Sequence, residues 1–285
     1  MRCLIALFFL SAVVTSKAEP QTVLFAKVGD RELKLDLYRP EKAATPPLIV
    51  YVHGGAWRAG SREQMPLGTL VRAGFAVASV DYRLSPEAPF PANVHDIKAA
   101  IRFLRGHASD WKLDARRIAI IGSSAGGHLA ALVGVTNGNE ELEGNVGEFP
   151  DQNSDVQAIV SFYGAANLTT ILSQSTPHGL SVRVPALELL LGGPVEENVE
   201  LARLASPVFH VDADDPPLLL IHGDQDPQMP INQSHELEGA YRKAGAAVQF
   251  EVVHGGAHGG EGFYTSGQLE RVADFLRKAM LESQP

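Results

Sequence analysis

A serine framed by glycines is the residue best suited to chemistry in this chain. The motif Gly122-Ser123-Ser124-Ala125-Gly126 follows the apolar run RIAII and leads into the helix-like run GHLAALVG. A G-x-S-x-G motif between a strand and a helix exposes its central serine as a nucleophile for acyl transfer. Side chains at positions 122 and 126 would collide with so sharp a turn. The motif therefore predicts Ser124 as the nucleophile, with a phosphate-binding helix N-terminus as the alternative.

Acyl transfer also needs hydrogen-bond donors for the oxygen that becomes negative in the tetrahedral intermediate. The segment HGGAW at 53–57 directly follows the apolar run LIVYV, where glycine lets the backbone approach a substrate closely. We expect the N–H groups of Gly55, Ala56 and Ala125 to form this oxyanion hole. The alternative is a plain tight turn, and for Trp57 packing in the core is favoured over stacking on a substrate.

A serine hydroxyl becomes a good nucleophile when a base removes its proton, so the ten histidines have to be sorted. Enzymes with this serine motif place the histidine after the last strand. His258 lies in GGAHGG just beyond the run VQFEVV and is the predicted base. His254 ends that run and is the weaker candidate. His128, His53 and His222 are interpreted as structural.

The acid that orients the histidine must follow a late strand, and the segment HGDQDPQMP follows the run PLLLI. Asp224 and Asp226 both qualify by position. Asp224 comes directly after Gly223 and suits a turn, whereas Asp226 projects further into the loop ahead of Pro227. We therefore predict Asp226 as the acid, in the chain order Ser124, Asp226, His258.

These residues need a scaffold that brings the ends of several strands together. Nearly continuous apolar runs alternate with amphipathic stretches, which predicts an α/β fold: a mostly parallel sheet with helices on both faces. Asn93, Ser124 and Asn232 stand at N-cap or first-turn positions of helices. Eight strands are predicted at 22–28, 33–38, 48–53, 75–80, 117–122, 156–162, 217–222 and 247–253, and helices at 92–106, 124–135, 232–244 and 267–282.

Two stretches do not follow this alternation. Residues 136–155 and 164–205 are richer in Gly, Asn, Pro and acidic residues, and only LELLLGG at 187–193 has the pattern of a packed helix. We expect these stretches to be insertions that form a small cap over the site. Apart from a leader, residues 19–285 suit one catalytic domain with a single core.

The N-terminus resembles an export signal. Arg2 precedes an apolar run from Cys3 to Val14, which is followed by Ser16-Lys17-Ala18. The alternative is a membrane anchor, but this run is shorter than the roughly 20 residues that span a bilayer. We therefore expect a signal peptide at 1–18, a secreted or periplasmic protein, and no stable membrane insertion after cleavage. The single cysteine would leave with the signal, which excludes disulfides and cysteine catalysis.

The composition excludes some classes of partner. A formal net charge of −9 argues against nucleic-acid binding, which depends on Lys and Arg. Hydrophobic residues at 45% and charged residues at 20% are ordinary for a globular enzyme. No metal site is predicted, because His254 and His258 lie in a glycine-rich loop rather than on one helix face.

With these motifs in place, the chain resembles the esterases of the α/β-hydrolase fold that include the hormone-sensitive-lipase-like enzymes and the bacterial bifunctional feruloyl and acetyl-xylan esterases. The resemblance implies the triad of Ser124, Asp226 and His258, an ester substrate and no cofactor. HGGAW departs from the HGGG of the lipase-like members and is similar to the feruloyl and acetyl-xylan esterases and to arylformamidases. Arg83, Pro86 and Asp96 lie in matching blocks, and a structural Arg–Asp pair accounts for them. The blocks are HGGAW at 53–57, DYRLSPEAPFPA at 81–92, HDIKAAIRFLR at 95–105, IAIIGSSAGGHLAAL at 118–132, HGDQDP at 222–227 and HGGAHGG at 254–260.

The favoured hypothesis is a secreted serine carboxylic-ester hydrolase that forms an acyl-enzyme and acts on a small ester or on acetyl or feruloyl esters of plant polysaccharide. A peptidase of the prolyl-oligopeptidase type is an alternative, although such enzymes carry a large extra domain. An arylformamidase fits export poorly. Outside the enzymes, the alternative is a catalytically silent binding module, against which the complete set of site residues argues.

Overall fold

Eight strands form one sheet in the order β1-β2-β4-β3-β5-β6-β7-β8. The computed structural model describes residues 19–282, so the predicted signal peptide at 1–18 lies outside the described residues. All eight predicted strands are confirmed, with ends within three residues of the prediction. They are β1 (Gln21–Val28), β2 (Arg31–Tyr38), β3 (Pro47–Val52), β4 (Ala76–Val80), β5 (Asp114–Ser123), β6 (Ala158–Phe162), β7 (Leu218–Gly223) and β8 (Val248–Val253).

The sheet is antiparallel only at one side. β1 pairs with β2 and β2 with β4 in antiparallel fashion, and the strands from β4 through β3, β5, β6 and β7 to β8 are parallel. In register, Val52 lies beside Gly122, and Gly223 lies beside Val253. The loops that follow β3, β5, β7 and β8 therefore leave the sheet at one edge, which is where the predicted site residues occur.

Both faces of the sheet are covered, as the continuous apolar runs predicted. Leu48 and Val50 of β3 pack into a core cluster on one face together with Ile97, whereas Ile49 belongs to the cluster on the other face together with Leu276. Alternate residues of a strand point to opposite faces, so a strand covered on both sides has to be apolar throughout. The result is a rigid platform beneath the loops at the edge.

Helices flank the sheet, and the four predicted ones are confirmed. Asn93 and Asn232 lie in the first turns of their helices, and Ser124 takes an N-cap position without a side-chain cap bond. The helices are α1 (Gly68–Arg72), α2 (Ala92–Gly106), α3 (Ala125–Gly134), α4 (Glu140–Glu143), α5 (Ile171–Gln174), α6 (Pro177–Leu191), α7 (Val199–Leu204), α8 (Asn232–Ala244) and α9 (Ser266–Glu282). No helix in the described range 19–282 combines the length and apolar character that crossing a membrane requires.

The two insertions differ in where they lie. Residues 136–155 pack against α2, where Lys98 donates to the carbonyl of Thr136 at 2.7 Å and Arg102 donates to that of Val146 at 2.9 Å. None of these residues lines the cavity at Ser124, so the expectation that this stretch covers the site is corrected. The buried cations Lys98 and Arg102 of α2 need hydrogen-bond acceptors, and backbone carbonyls of residues 136–155 provide them at a distance from Ser124.

The second insertion, 164–205, contains α5, α6 and α7 and reaches the cavity. α6 begins at Pro177 rather than near 187, because Thr176 caps it by accepting from Gly179 N at 3.0 Å. Pro185 within the helix obscured this start in the sequence, since proline removes a helical hydrogen bond. Thr176 also donates to the carbonyl of Pro227 at 2.7 Å, which ties α6 to the loop that carries Asp226.

Candidate active site

Ser124 lies on the sharp turn between β5 and α3 that its motif predicted. Its backbone has φ 55° and ψ −120°, in the left-handed half of conformational space, at a cost of roughly 1–3 kcal/mol. A Cβ on Gly122 would lie 2.0 Å from the carbonyl oxygen of Gly126, and one on Gly126 would lie 2.1 Å from that of Val52. Only glycine fits at either position, and the strained turn holds the serine at the sheet edge.

A chain of hydrogen bonds joins the three predicted residues. Ser124 Oγ lies 2.8 Å from His258 Nε2, and His258 Nδ1 lies 2.7 Å from Asp226 Oδ2. The carboxylate accepts from Nδ1–H, so Nε2 carries the lone pair that faces the serine hydroxyl. The Asp226 side chain is fully buried and that of His258 is 12% exposed. The arrangement can take a proton from the serine.

Asp226 is held as a carboxylate by its surroundings. Its Oδ1 accepts from the backbone N–H groups of Gln228 and Met229, both at 2.8 Å, and its Oδ2 lies 3.4 Å from Nε2 of His222. Burial raises the pKa of Asp226, but hydrogen bonds from His222 and His258 outweigh burial and place the pKa well below the usual range. His222 thus supports the acid from behind, a role that its position in the sequence did not indicate.

The two rival residues pair with each other. His254 Nδ1 lies 2.9 Å from Asp224 Oδ2, and Asp224 Oδ1 accepts from Gly255 N at 2.7 Å. The side chain of His254 is 86% exposed. This pair closes a turn at the surface, and neither residue lines the cavity at Ser124.

The loop after β3 runs directly against the nucleophile. A Cβ on Gly54 would lie 2.9 Å from the carbonyl oxygen of Ser123 and 3.3 Å from Cβ of Ser124. Gly55 has φ 115°, and a Cβ there would lie 2.1 Å from the carbonyl oxygen of Ala59. Glycine at both positions is therefore required for this close approach.

The three predicted oxyanion donors are available in this geometry. Gly55 and Ala56 line the cavity with Ser124, and Ala125 begins α3, where the first N–H groups have no helical acceptor. Among the described residues, none of these three N–H groups meets a hydrogen-bond acceptor. Free, fixed donors beside a nucleophile are what a developing oxyanion needs.

Trp57 and two further histidines are structural. Fully buried Trp57 donates from Nε1 to His128 Nδ1 at 3.1 Å, and His128 Nε2 donates to the carbonyl of Ala205 at 2.6 Å. Burial lowers the pKa of His128 to about 4, a shift opposed by Ala205 and reinforced by Arg183. His53 is also buried, which lowers its pKa, and its Nδ1 lies 2.8 Å from a backbone carbonyl. These rings hold the loop and α3 together.

Arg83 and Asp96 form the structural pair that the sequence allowed. Arg83 Nη2 lies 2.8 Å from Asp96 Oδ1, and the backbone N–H of Arg83 donates to Asp96 Oδ2 at 2.8 Å. Asp96 is fully buried on α2, and Pro86 lies in the adjoining turn. The pair attaches the loop after β4 to α2.

A cavity of about 700 Å³ opens over Ser124 and His258. Its walls include residues that sequence reasoning did not identify: Tyr51, Glu63, Gln64, Met65, Pro66, Tyr163, Arg183, Gln228 and Tyr264. Tyr163 could have been found, because it directly follows β6 at the same edge of the sheet. The other wall residues carry no motif, and their convergence depends on the fold.

Three tyrosines make one wall of the cavity. Tyr163 and Tyr264 join through their hydroxyls at 2.7 Å, and the Tyr51 hydroxyl lies 3.0 Å from Ser123 Oγ. The ring of Tyr163 meets that of His258 edge to face, with centroids 4.9 Å apart. Burial raises the pKa of Tyr163 to about 12, so this wall is uncharged. No cluster of side chains suited to holding a metal ion occurs in the part of the chain that the structure describes.

Comparisons with known proteins agree with this geometry. The BD-FAE family model matches residues 35–241. Esterase LipQ of Mycobacterium tuberculosis is 34% identical over 227 residues, a match that covers 77% of this chain and 52% of LipQ. A truncated carbohydrate esterase from gut microbiota matches with a TM-score of 0.83 at 31% identity, over 93% of this chain and 98% of that chain. A bifunctional GH43-CE protein of Bacteroides eggerthii matches with a TM-score of 0.79 at 33% identity, over 87% of this chain and 33% of that one. The chain thus spans about half of LipQ and nearly all of the first structure.

Proposed function

The chain belongs to the BD-FAE family of α/β-hydrolase esterases, and we propose that it is a serine carboxylic-ester hydrolase that forms an acyl-enzyme on Ser124. The observation that carries the proposal is the hydrogen-bonded chain from Ser124 through His258 to Asp226 beneath an open cavity. Nucleophile, base and acid in this arrangement are the parts that acyl transfer needs.

In the first half-reaction, Ser124 Oγ attacks the ester carbonyl carbon as its proton moves to His258 Nε2. Asp226 keeps the ring oriented and stabilises the imidazolium. The carbonyl oxygen becomes negative within reach of the N–H groups of Gly55, Ala56 and Ala125, each of which is worth on the order of 3 kcal/mol of barrier. The C–O bond to the alcohol then breaks, and the alcohol leaves with the proton from His258.

In the second half-reaction, water enters where the alcohol left. His258 removes one of its protons, the hydroxide attacks the acyl carbon, and a second oxyanion forms in the same hole. The bond to Ser124 Oγ breaks, and the serine regains its proton from His258. Because Asp226 has a strongly lowered pKa, it remains a carboxylate throughout the cycle.

Esters attached to carbohydrate are the proposed natural substrates, with acetyl and feruloyl groups of plant polysaccharide first among them. The names of two similar structures, a carbohydrate esterase and a GH43-CE protein, support this choice. The cavity is lined on one side by Tyr51, Tyr163 and Tyr264, whose flat rings suit contact with sugar or feruloyl rings. The signal-like sequence at 1–18 supports export to a compartment where polysaccharide is met.

Two measurements test the proposal. The protein should release a burst of nitrophenol from 4-nitrophenyl acetate and should be labelled by a fluorophosphonate, with both signals lost in Ser124→Ala. Ser123→Ala is the matched control, because it removes the neighbouring hydroxyl and leaves the nucleophile. A panel of acetylated xylan, methyl ferulate and short nitrophenyl esters then ranks the substrates. Labelling that persists in Ser124→Ala would contradict the assignment of the nucleophile.

A further inference from the structure

One cationic side chain that lines the cavity, Arg183, has no role in the reaction described above. Arg183 on α6 lines the same cavity as Ser124 and His258, yet its residue is only 1% exposed. Within the described residues, Nε, Nη1 and Nη2 of its guanidinium all lack a hydrogen-bond acceptor. The five N–H donors of the guanidinium therefore lie at the cavity wall without an acceptor among the described residues.

Two arginines elsewhere in the described chain have acceptors. Buried Arg102 donates to the carbonyls of Glu143 and Val146 at 3.1 and 2.9 Å and leaves only its Nε unpaired, and half-buried Arg105 donates to the carbonyl of Asn153 at 3.1 Å. A buried charge without hydrogen bonds is costly, which is why such groups are normally paired. Arg183 is therefore the exception among these three, and it is also the one that faces the cavity.

The electrostatic surroundings leave Arg183 positive. Burial lowers its pKa to about 10, a shift opposed by Asp226 and reinforced by Arg58, so the group is charged at neutral pH. Its guanidinium carbon lies 5.9 Å from the ring centroid of Trp57, which orients the group but provides no acceptor. Among the described residues that line the cavity, only Glu63 has a carboxylate side chain. That side chain is 73% exposed, and its Oε1 lies 3.8 Å from Nη2 of Arg62.

The helix that carries Arg183 is anchored near both of its ends. The N-terminus of α6 is tied to the acid loop through Thr176 and Pro227, and the carbonyl of Leu190 near its C-terminus accepts from Phe90 N at 2.8 Å. The Cβ of Gly179, if present, would lie 3.0 Å from the carbonyl of Gln228. A helix held at both ends presents the guanidinium at a defined place relative to the nucleophile, as a binding group must be presented.

We propose that Arg183 is a subsite for a carboxylate carried by the substrate, so that the protein favours esters with a negative group over neutral esters of the same size. This inference rests on the proposed ester hydrolysis. The planar fork of a guanidinium matches the two oxygens of a carboxylate. A monoanion is favoured over a phosphate dianion, because the carboxylate of Asp226 already lies within electrostatic range of Arg183 and repels a second negative charge.

The test compares matched esters that differ only in charge. One arm places the carboxylate on the acyl side, with 4-nitrophenyl hydrogen glutarate against its terminal amide. The other places it on the alcohol side, with 3-acetoxybenzoate against 3-acetoxybenzamide. The readout is the ratio of kcat/KM for the anionic ester to that for the neutral one, in which any general loss of rate cancels.

In the unmodified protein we expect this ratio to exceed about ten in one of the two arms, which identifies the side of the ester that carries the charge. Arg183→Gln should bring the ratio to about one, and Arg183→Lys should keep part of the preference. Arg203→Gln is the control, because it removes the same charge from an exposed position outside the cavity. Ratios near one in both arms of the unmodified protein, or a ratio unchanged by Arg183→Gln, would overturn the proposal.

Binding of free glutarate separates this inference from the proposed function. At millimolar concentrations glutarate should raise the thermal unfolding temperature of the unmodified protein and of Arg203→Gln, but not that of Arg183→Gln. If no ester is cleaved and no fluorophosphonate label is taken while this shift persists, ester hydrolysis is wrong and the subsite stands. If esters are cleaved but glutarate and the charge ratio have no effect, the subsite is wrong and the hydrolase stands.

Discussion

The loops after β7 and β8 contain two Asp–His pairs built from the same residue types. Asp226 and His258 meet at 2.7 Å with side chains that are 0% and 12% exposed, whereas Asp224 and His254 meet at 2.9 Å with side chains that are 32% and 86% exposed. We call these the inner and the outer pair. The inner pair reaches Ser124 and is shielded from water, so its hydrogen bonds act in a low dielectric. Burial and contact with a third residue, rather than Asp–His contact alone, separate the proposed catalytic pair from the pair that closes a surface turn.

The histidines should separate the pairs most strongly. His258→Ala removes the proposed base and should lower kcat for 4-nitrophenyl acetate by roughly 10⁵-fold or more, because the serine then has no proton acceptor. His254→Ala in the outer pair should stay within about twofold of the unmodified rate, since exposed pairs contribute little. Steady-state kinetics measures both variants. Equal damage from the two would remove the distinction between the pairs.

Substitutions of the two aspartates should give the next largest difference in kcat. Asp226→Asn should reduce kcat by roughly 10³- to 10⁴-fold, because the amide no longer fixes the histidine tautomer or stabilises the imidazolium. Asp224→Asn should leave kcat nearly unchanged. Kinetics of both variants, with circular dichroism as the control for folding, decides the matter. A larger loss in Asp224→Asn would mean that the outer pair serves the serine.

Substitution of His222, which lies beside Asp226 of the inner pair, should give a smaller effect on kcat. His222→Asn withdraws one of the groups that hold Asp226, and we expect kcat to fall about tenfold with KM nearly constant. His210→Asn is the control, because the ring of His210 bonds to the carbonyl of Leu204 at 2.8 Å and the residue does not line the cavity. A change confined to KM would show that His222 acts on the substrate instead.

Low pH should reduce the free energy of unfolding that Asp226 contributes. The folded-state pKa of Asp226 lies below the value of about 3.9 for an unfolded aspartate, so its contribution is fully present above that value and is lost progressively as pH falls below it towards the folded pKa. Each unit of lowering is worth about 1.4 kcal/mol. Urea unfolding between pH 7 and pH 3 should therefore show a steeper loss in the unmodified protein than in Asp226→Asn. Parallel curves for the two would contradict this.

Local sequence patterns predicted most of the fold and the positions of the three site residues. Eight apolar runs became eight strands, because a strand covered on both faces needs continuous Ile, Leu and Val wherever it occurs. The glycines at 122 and 126 marked the turn at Ser124, since their collisions follow from the turn itself. The start of α6 was missed because Pro185 masks the helical pattern, and the location of 136–155 was missed because it depends on Lys98 and Arg102 of a distant helix.

The sequence by itself determined which residues could act and which edge of the sheet they share, because side-chain type and strand order are encoded locally. Their roles in catalysis stay predictions until the variants are measured. The tertiary structure decided which aspartate meets which histidine, since Ser124 and His258 are 134 positions apart in the chain and 2.8 Å apart in space. It also decided that Arg183 is buried, charged and without an acceptor among the described residues, a property that arises only when distant segments pack around one side chain.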